Sequence, residues 1–176
     1  MEATVARMRD LIRDIPEHPQ PGVTFKDITP LLADPGALWG CIEALASAFE
    51  GHGVDKVVGI EARGFILAAP VAVRLGAGFV PVRKAGKLPW EVHSETYDLE
   101  YGTDTLEIHR DAIGPDDRVL VVDDVLATGG TAAATTKLVG HMRAAPVGFG
   151  CAIELGSLDG RSRLSGIEVF SVIRYA

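Results

Sequence analysis

At 176 residues, with 47% hydrophobic and only 6% aromatic content, the chain is long enough to bury a sizeable core as one packed domain, and its composition excludes a disordered or fibrous protein. Lysine and arginine number 17 against 24 aspartates and glutamates, and the formal net charge of −7 excludes a broad basic surface for nucleic acid or anionic lipid. Cys41 and Cys151 lie far apart within apolar stretches and read as two buried thiols of a reducing compartment, with one disulfide as the alternative; residues 1–20 carry charges throughout, so neither a signal peptide nor a membrane span is expected and the protein should be cytosolic.

Val5, Met8, Leu11 or Ile12, and Ile15 recur at helical spacing and predict a helix over residues 4–14, ended by Pro16. Pro19, Pro21, Gly22 and Pro30 make the segment that follows a long loop with exposed backbone. Asp34 and Pro35 are an N-cap and a first-turn proline, and Leu38, Ile42, Leu45 and Phe49 give the apolar face of the next helix. Lys56 to Ile60 is a short buried strand, and Glu61-Ala62-Arg63-Gly64 turns into a helix carrying Phe65, Ala68, Val71, Ala72 and Leu75. Gly78 to Lys84 is a strand that Pro81 puts near an edge or at a bulge, and Arg83, Lys84 and Lys87 cluster at its end. Residues 85–95 read as irregular. Thr96 to Tyr101 and Asp104 to Ile108 alternate about a glycine-containing turn and predict a hairpin projecting from the sheet. A helix over 132–143, a buried strand over 147–155 and a last strand over 168–174 complete an α/β pattern, and the five histidines show no metal-ligand spacing.

The chemical centre is Val119-Leu120-Val121-Val122-Asp123-Asp124-Val125-Leu126-Ala127-Thr128-Gly129-Gly130-Thr131. Four apolar β-formers, two carboxylates, a small hydroxylated turn and a helix start put acids at the carboxyl end of a strand, where open α/β sheets bind ligands. Gly129 and Gly130 let backbone approach an anion closely, and Thr128 and Thr131 add hydroxyl donors at a helix N-terminus, an arrangement suited to a phosphate. Asp123 and Asp124 would repel that phosphate and must instead face neutral hydroxyls, so ribose 5-phosphate satisfies both halves. Neither G-x-x-x-x-G-K-[ST] nor a strand-following G-x-G-x-x-G is present, which excludes the two commonest nucleotide loops.

This motif resembles the 5-phosphoribosyl 1-pyrophosphate (PRPP) signature of the type I phosphoribosyltransferases, and the resemblance runs almost end to end. It implies an open, mainly parallel sheet flanked by helices as one domain over 1–176, with an N-terminal hood at about 15–31 and a hairpin lid at about 88–108. The run from Pro21 to Ile28 resembles the adenine-recognising hood of the members that act on adenine, which assigns Thr24, Phe25 and Lys26 to the base, with Phe25 and Val125 on its two faces. Glu61-Ala62-Arg63-Gly64 resembles the pyrophosphate loop, lacking a hydroxyl at Ala62, and Arg63, Lys84 and Lys87 match its cations. Glu100 and Tyr101 match lid residues that approach the reacting purine and ribose. Asp123, Asp124, Ala127, Thr128, Gly129, Gly130 and Thr131 are left to ribose and 5-phosphate. The implied reaction converts adenine and PRPP to AMP and pyrophosphate, with Mg²⁺ held mainly by substrate and water and no protein metal site, in a homodimer that binds neither nucleic acid nor membrane. A phosphoribosyltransferase for xanthine or a pyrimidine, and a PRPP-sensing nucleic-acid regulator, are the alternatives; the net charge argues against the second.

Overall fold

The computed structural model describes residues 2–98 and 102–176. Its elements are α1 (Glu2–Asp10), β1 (Arg13–Pro16), β2 (Thr24–Asp27), α2 (Thr29–Ala33), α3 (Pro35–Phe49), β3 (Lys56–Ile60), α4 (Gly64–Leu75), β4 (Gly78–Lys84), β5 (Val92–Asp98), β6 (Thr103–His109), β7 (Arg118–Leu126), α5 (Gly130–His141), β8 (Ala145–Leu155) and β9 (Glu168–Tyr175).

Strand alternation builds the core on both faces of the sheet. Leu120 and Val122 of β7 pack with Leu45 and Phe49 of α3 and Leu67 and Val71 of α4. Val119 and Val121 face the other way, toward Leu138 and Val139 of α5. All four β7 residues are fully buried, which explains a continuous apolar run where a one-sided sheet would alternate. Among the described residues, seven strands lie in the order β5-β6-β4-β3-β7-β8-β9, with the run β4-β3-β7-β8-β9 parallel and β6 and β5 added antiparallel. From β3 the chain moves outward through α4 to β4, and from the adjacent β7 it moves the opposite way through α5 to β8. The strand order therefore reverses between β3 and β7, and the loops leaving their carboxyl ends bound the crevice where ligands of open α/β sheets sit. Pro81 meets the expectation of an edge: residues 78–82 pair with β3 alone, and only Arg83 and Lys84 pair with β6.

Three expectations are corrected. The N-terminal helix stops at Asp10, because residues ahead of Pro16 turn extended and pair antiparallel with β2, Ile15 opposite Phe25. The hood is thus a two-stranded ladder rather than an open loop, tied down by Lys26, whose ammonium lies 2.6 Å from Asp14 and 4.2 Å from the Tyr175 ring centroid. The segment read as irregular becomes strand from Val92, and the hairpin extends the sheet from the end of β4 while Glu95 reaches Lys137 of α5 at 3.2 Å. Short α2 was not anticipated; Asp27 starts it by accepting from both the amide and the hydroxyl of Thr29. Cys41 and Cys151 are free and buried, and burial pushes the Cys41 thiol up to about 12. Among the described residues, no helix is long and apolar enough to cross a membrane.

Candidate active site

A cleft of about 520 Å³ opens over the β3–β7 reversal, a volume in the range of small-molecule sites. Thr24, Phe25, Lys26, Ala62, Arg63, Lys84, Asp123, Asp124, Val125, Ala127 and Thr131 all line it. The Lys26 side chain is spent on Asp14 and Tyr175, so what β2 offers the cleft at that position is backbone. Thr128, Gly129 and Gly130 lie on the loop between two lining residues, whereas Lys87 is exposed and outside the lining. Glu100 and Tyr101 lie outside the described residues.

At the end of β7 both carboxylates are buried, and Asp123 Oδ1 accepts the Asp124 amide at 2.9 Å. Gly64 at the start of α4 comes so close that a Cβ there would stand 2.8 Å from Asp123 Oδ1. Burial, reinforced by the charge of Asp124, holds the Asp123 carboxyl well above the ordinary carboxylate range. Arg63 Nε lies 2.8 Å from Asp124 Oδ2 without an aligned N–H, so that buried oxygen has charge compensation and no hydrogen bond. The same guanidinium lies 4.9 Å from the Phe25 ring centroid, a cation–π distance. Arg63 thus touches both the aromatic face assigned to the base and the acid assigned to the sugar.

The other cations have defined partners. Arg83 donates to Glu61 Oε1 at 3.0 Å and the Lys84 amide donates to Glu61 Oε2 at 2.9 Å, so Glu61 ties the ends of β3 and β4 together. The Arg83 hydrogen bond holds the Glu61 carboxyl below its usual range against the opposing effect of burial. Lys84 Nζ is 3.1 Å from Asp104 Oδ2, a contact that raises the ammonium pKa. The pairing of Arg63 with Asp124, of Arg83 with Glu61 and of Lys84 with Asp104 joins residues far apart in sequence, and no local pattern announces it. Tyr97, Asp104, Leu155 and Leu158 are lining residues that sequence reasoning missed for the same reason.

Gly129 sits at φ +79 and caps α5, whose first-turn amides have no partner within the helix. Gly160 is pressed against this turn: a Cβ on Gly160 would run into Ala127 O and Gly129 N, and one on Gly129 would run into Gly160 O. The 3-10 turn from Gly160 to Leu164 is held in place by Glu154, which is 2% exposed. Arg161 donates to both Glu154 oxygens, at 3.0 and 2.6 Å, and to Val169 O at 2.8 Å; Ser171 donates to Glu154 at 2.6 Å. The Arg161 hydrogen bonds hold the Glu154 carboxyl below its ordinary range. Because the folded-state pKa is depressed, the stabilisation is complete above the unfolded value, about 4.3, and fades as pH falls through the folded one. Glu154→Gln should therefore cost roughly 1–3 kcal/mol at pH 7, the partly exposed arginines limiting the loss. Thermal denaturation of the two proteins should show this gap closing below about pH 4. A gap independent of pH would remove the ion pair as its cause.

The phosphoribosyl transferase domain family matches residues 27–174, and the chain belongs to that family. A curated relative, the adenine phosphoribosyltransferase of Thermobifida fusca (strain YX), is 60% identical over 158 residues, covering 90% of each chain. Among solved structures, adenine phosphoribosyltransferase from Rhodothermus marinus DSM 4252 matches with a TM-score of 0.95 and 50% identity, covering 99% of this chain and 100% of that one. That of Saccharomyces cerevisiae, a complex with an imino-altritol bisphosphate and adenine, matches with a TM-score of 0.93 and 39% identity, covering 98% and 100%.

Proposed function

We propose that this protein is an adenine phosphoribosyltransferase: it transfers the 5-phosphoribosyl group of PRPP to adenine, giving AMP and pyrophosphate in purine salvage. The observation that carries the reading is the meeting, in one cleft at the strand-order reversal, of a helix-start phosphate cradle, a buried acid pair and an aromatic face. The relatives named above, and the adenine in the yeast complex, agree with it.

Each task of the reaction falls to a part of the cleft. The amides and hydroxyls of residues 128–131 anchor the 5-phosphate, supplying binding energy remote from the reacting carbon. Asp123 and Asp124 accept from the ribose hydroxyls and so fix the anomeric carbon. Adenine lies between Phe25 and Val125, with Thr24 and Lys26 backbone reading its edge and excluding a 6-oxo purine by leaving donors and acceptors mismatched. Arg63, with Ala62 backbone, Lys84 and Lys87, neutralises charge developing on pyrophosphate. To do so Arg63 moves off Phe25 and Asp124, exposing the faces that base and ribose need. Glu100 and Tyr101 complete the site from the lid.

The reaction uses Mg²⁺ carried mainly on substrate oxygens and water, since this small cation dehydrates reluctantly and takes few protein ligands at phosphate sites. When bound it would supply charge neutralisation at pyrophosphate, and Asp124, whose buried Oδ2 accepts no hydrogen bond, would be the residue to hold it or its waters. The protein works as a single-domain homodimer in the cytosol, in keeping with its two free buried thiols, and takes neither nucleic acid nor membrane as partner. The test is incubation with labelled adenine, PRPP and Mg²⁺ followed by product identification. AMP and pyrophosphate should form in equal amounts, with hypoxanthine, xanthine and uracil turned over at least about a hundredfold more slowly. Comparable nucleotide formation from any of those bases would overturn the assignment.

A further inference from the structure

We infer that Tyr97, on β5, is a binding residue for the 5-phosphate. The inference rests on the cradle reading of residues 128–131 given above.

Tyr97 stands opposite Asp104 in the hairpin register, and the neighbouring pair Thr96 and Thr105 joins hydroxyls at 2.9 Å. Side chains alternate along a strand, so Tyr97 leaves the face on which that threonine pair meets. It is one of the residues lining the cleft. Its ring edge packs on the first residue of α5, where a Cβ on Gly130 would stand 3.4 Å from Tyr97 Cδ2. Its hydroxyl accepts from Thr131 Oγ1 at 3.2 Å. The phenol oxygen therefore sits within a hydrogen bond of the helix start whose amides hold the phosphate. The root of β5 is fastened to α5 by Glu95 with Lys137, so this position is set by the scaffold rather than by the lid tip.

Hydroxyl arithmetic gives the ring a task beyond packing. Thr131 has one proton and can give it either to Tyr97 or to a phosphate oxygen. Once a phosphate takes it, Tyr97 loses its donor, and its own O–H is beside an anion that accepts charge-assisted hydrogen bonds. The tyrosine hydroxyl then donates to the phosphate that displaced it from Thr131. One exchange of partners adds a donor from β5 to the loaded cradle.

Tyr97→Phe keeps the ring and removes only the hydroxyl. Its Kd for ribose 5-phosphate, measured by calorimetry, should rise about tenfold, the loss of one charge-assisted hydrogen bond, while its Kd for pyrophosphate stays within twofold. In turnover, KM for PRPP should rise by more than kcat falls. Thr131→Val separates the two levels of the argument. If Thr131→Val weakens ribose 5-phosphate and Tyr97→Phe does not, the tyrosine only packs and the inference is overturned with the cradle intact. Should ribose 5-phosphate and pyrophosphate weaken alike in Tyr97→Phe, the residue holds the fold and the inference is again overturned. If neither variant alters ribose 5-phosphate binding, the phosphate lies elsewhere and the functional reading itself fails.

Discussion

Gly160→Ala should lower kcat/KM for PRPP by about a hundredfold although residue 160 donates nothing to the ligand, since a displacement near 1 Å in a binding group costs about that much. The added methyl would run into the carbonyl of Ala127 and the amide of Gly129, both backbone atoms that no rotamer change can remove. Relaxation has to come from one side of the contact. Leu126, immediately before the turn, is buried at the end of β7, and the turn that carries Gly160 is clamped by Arg161 on Glu154. The compliant piece is the segment from Ala127 to Gly130, which belongs to the phosphate cradle we propose. Overpacking of this kind costs about 1–3 kcal/mol, so melting should fall by only several degrees in a chain of this size. Steady-state kinetics with calorimetric AMP binding checks the split: weakened AMP and a modest Tm change support it. A kcat/KM within threefold of wild type would mean that the loop tolerates the shift.

The contrast between this glycine and Gly129 marks what could be read from the chain alone. Gly129 follows four apolar β-formers, two acids and a hydroxylated turn, so local pattern was enough to place a strand, a loop and a helix start. Gly160 matters because folding brings it against residues more than thirty positions earlier, and no periodicity encodes that approach. The same division runs through the charged residues. The basic cluster near the end of β4 was visible as composition, but its partition was not: Arg83 is consumed by Glu61, Lys84 faces Asp104, and Lys87 remains outside the lining. Arg63 likewise stood at a strand end, while its partners, Phe25 and Asp124, come from distant segments. At the N-terminus the helical spacing of Leu11 or Ile12 and Ile15 competed with Pro16. Ladder pairing to β2 decided the outcome, and that is a tertiary choice which local propensity does not contain.

Asp124→Asn should reduce kcat/KM for PRPP by about a hundredfold while leaving melting unchanged or higher by a few degrees. Under the proposed assignment, activity falls because a ribose hydroxyl loses a charged acceptor, an interaction worth about 1.5–3 kcal/mol, and because Arg63 loses the anion beside it. Stability moves the other way for an electrostatic reason. Two adjacent carboxylates are buried together, and the charge on Asp124 helps burial to push the Asp123 carboxyl up. A carboxyl whose folded pKa is raised favours the fold fully below its unfolded value, about 3.9, and that contribution is lost as pH rises through the folded one. Neutralising Asp124 removes the like-charge part and leaves burial, so Asp123 ionises at lower cost and the loss at high pH shrinks. Against this stands the Arg63 pair, with the guanidinium 41% exposed and the contact therefore worth about 1 kcal/mol or less. The stability advantage of Asp124→Asn should consequently widen between about pH 4 and pH 8, read as Tm against pH for both proteins. A variant that melts several degrees below wild type at pH 8 and keeps its kcat/KM would show the acid pair to be structural, because only a ligand-binding pair is retained at a cost to the fold that carries it.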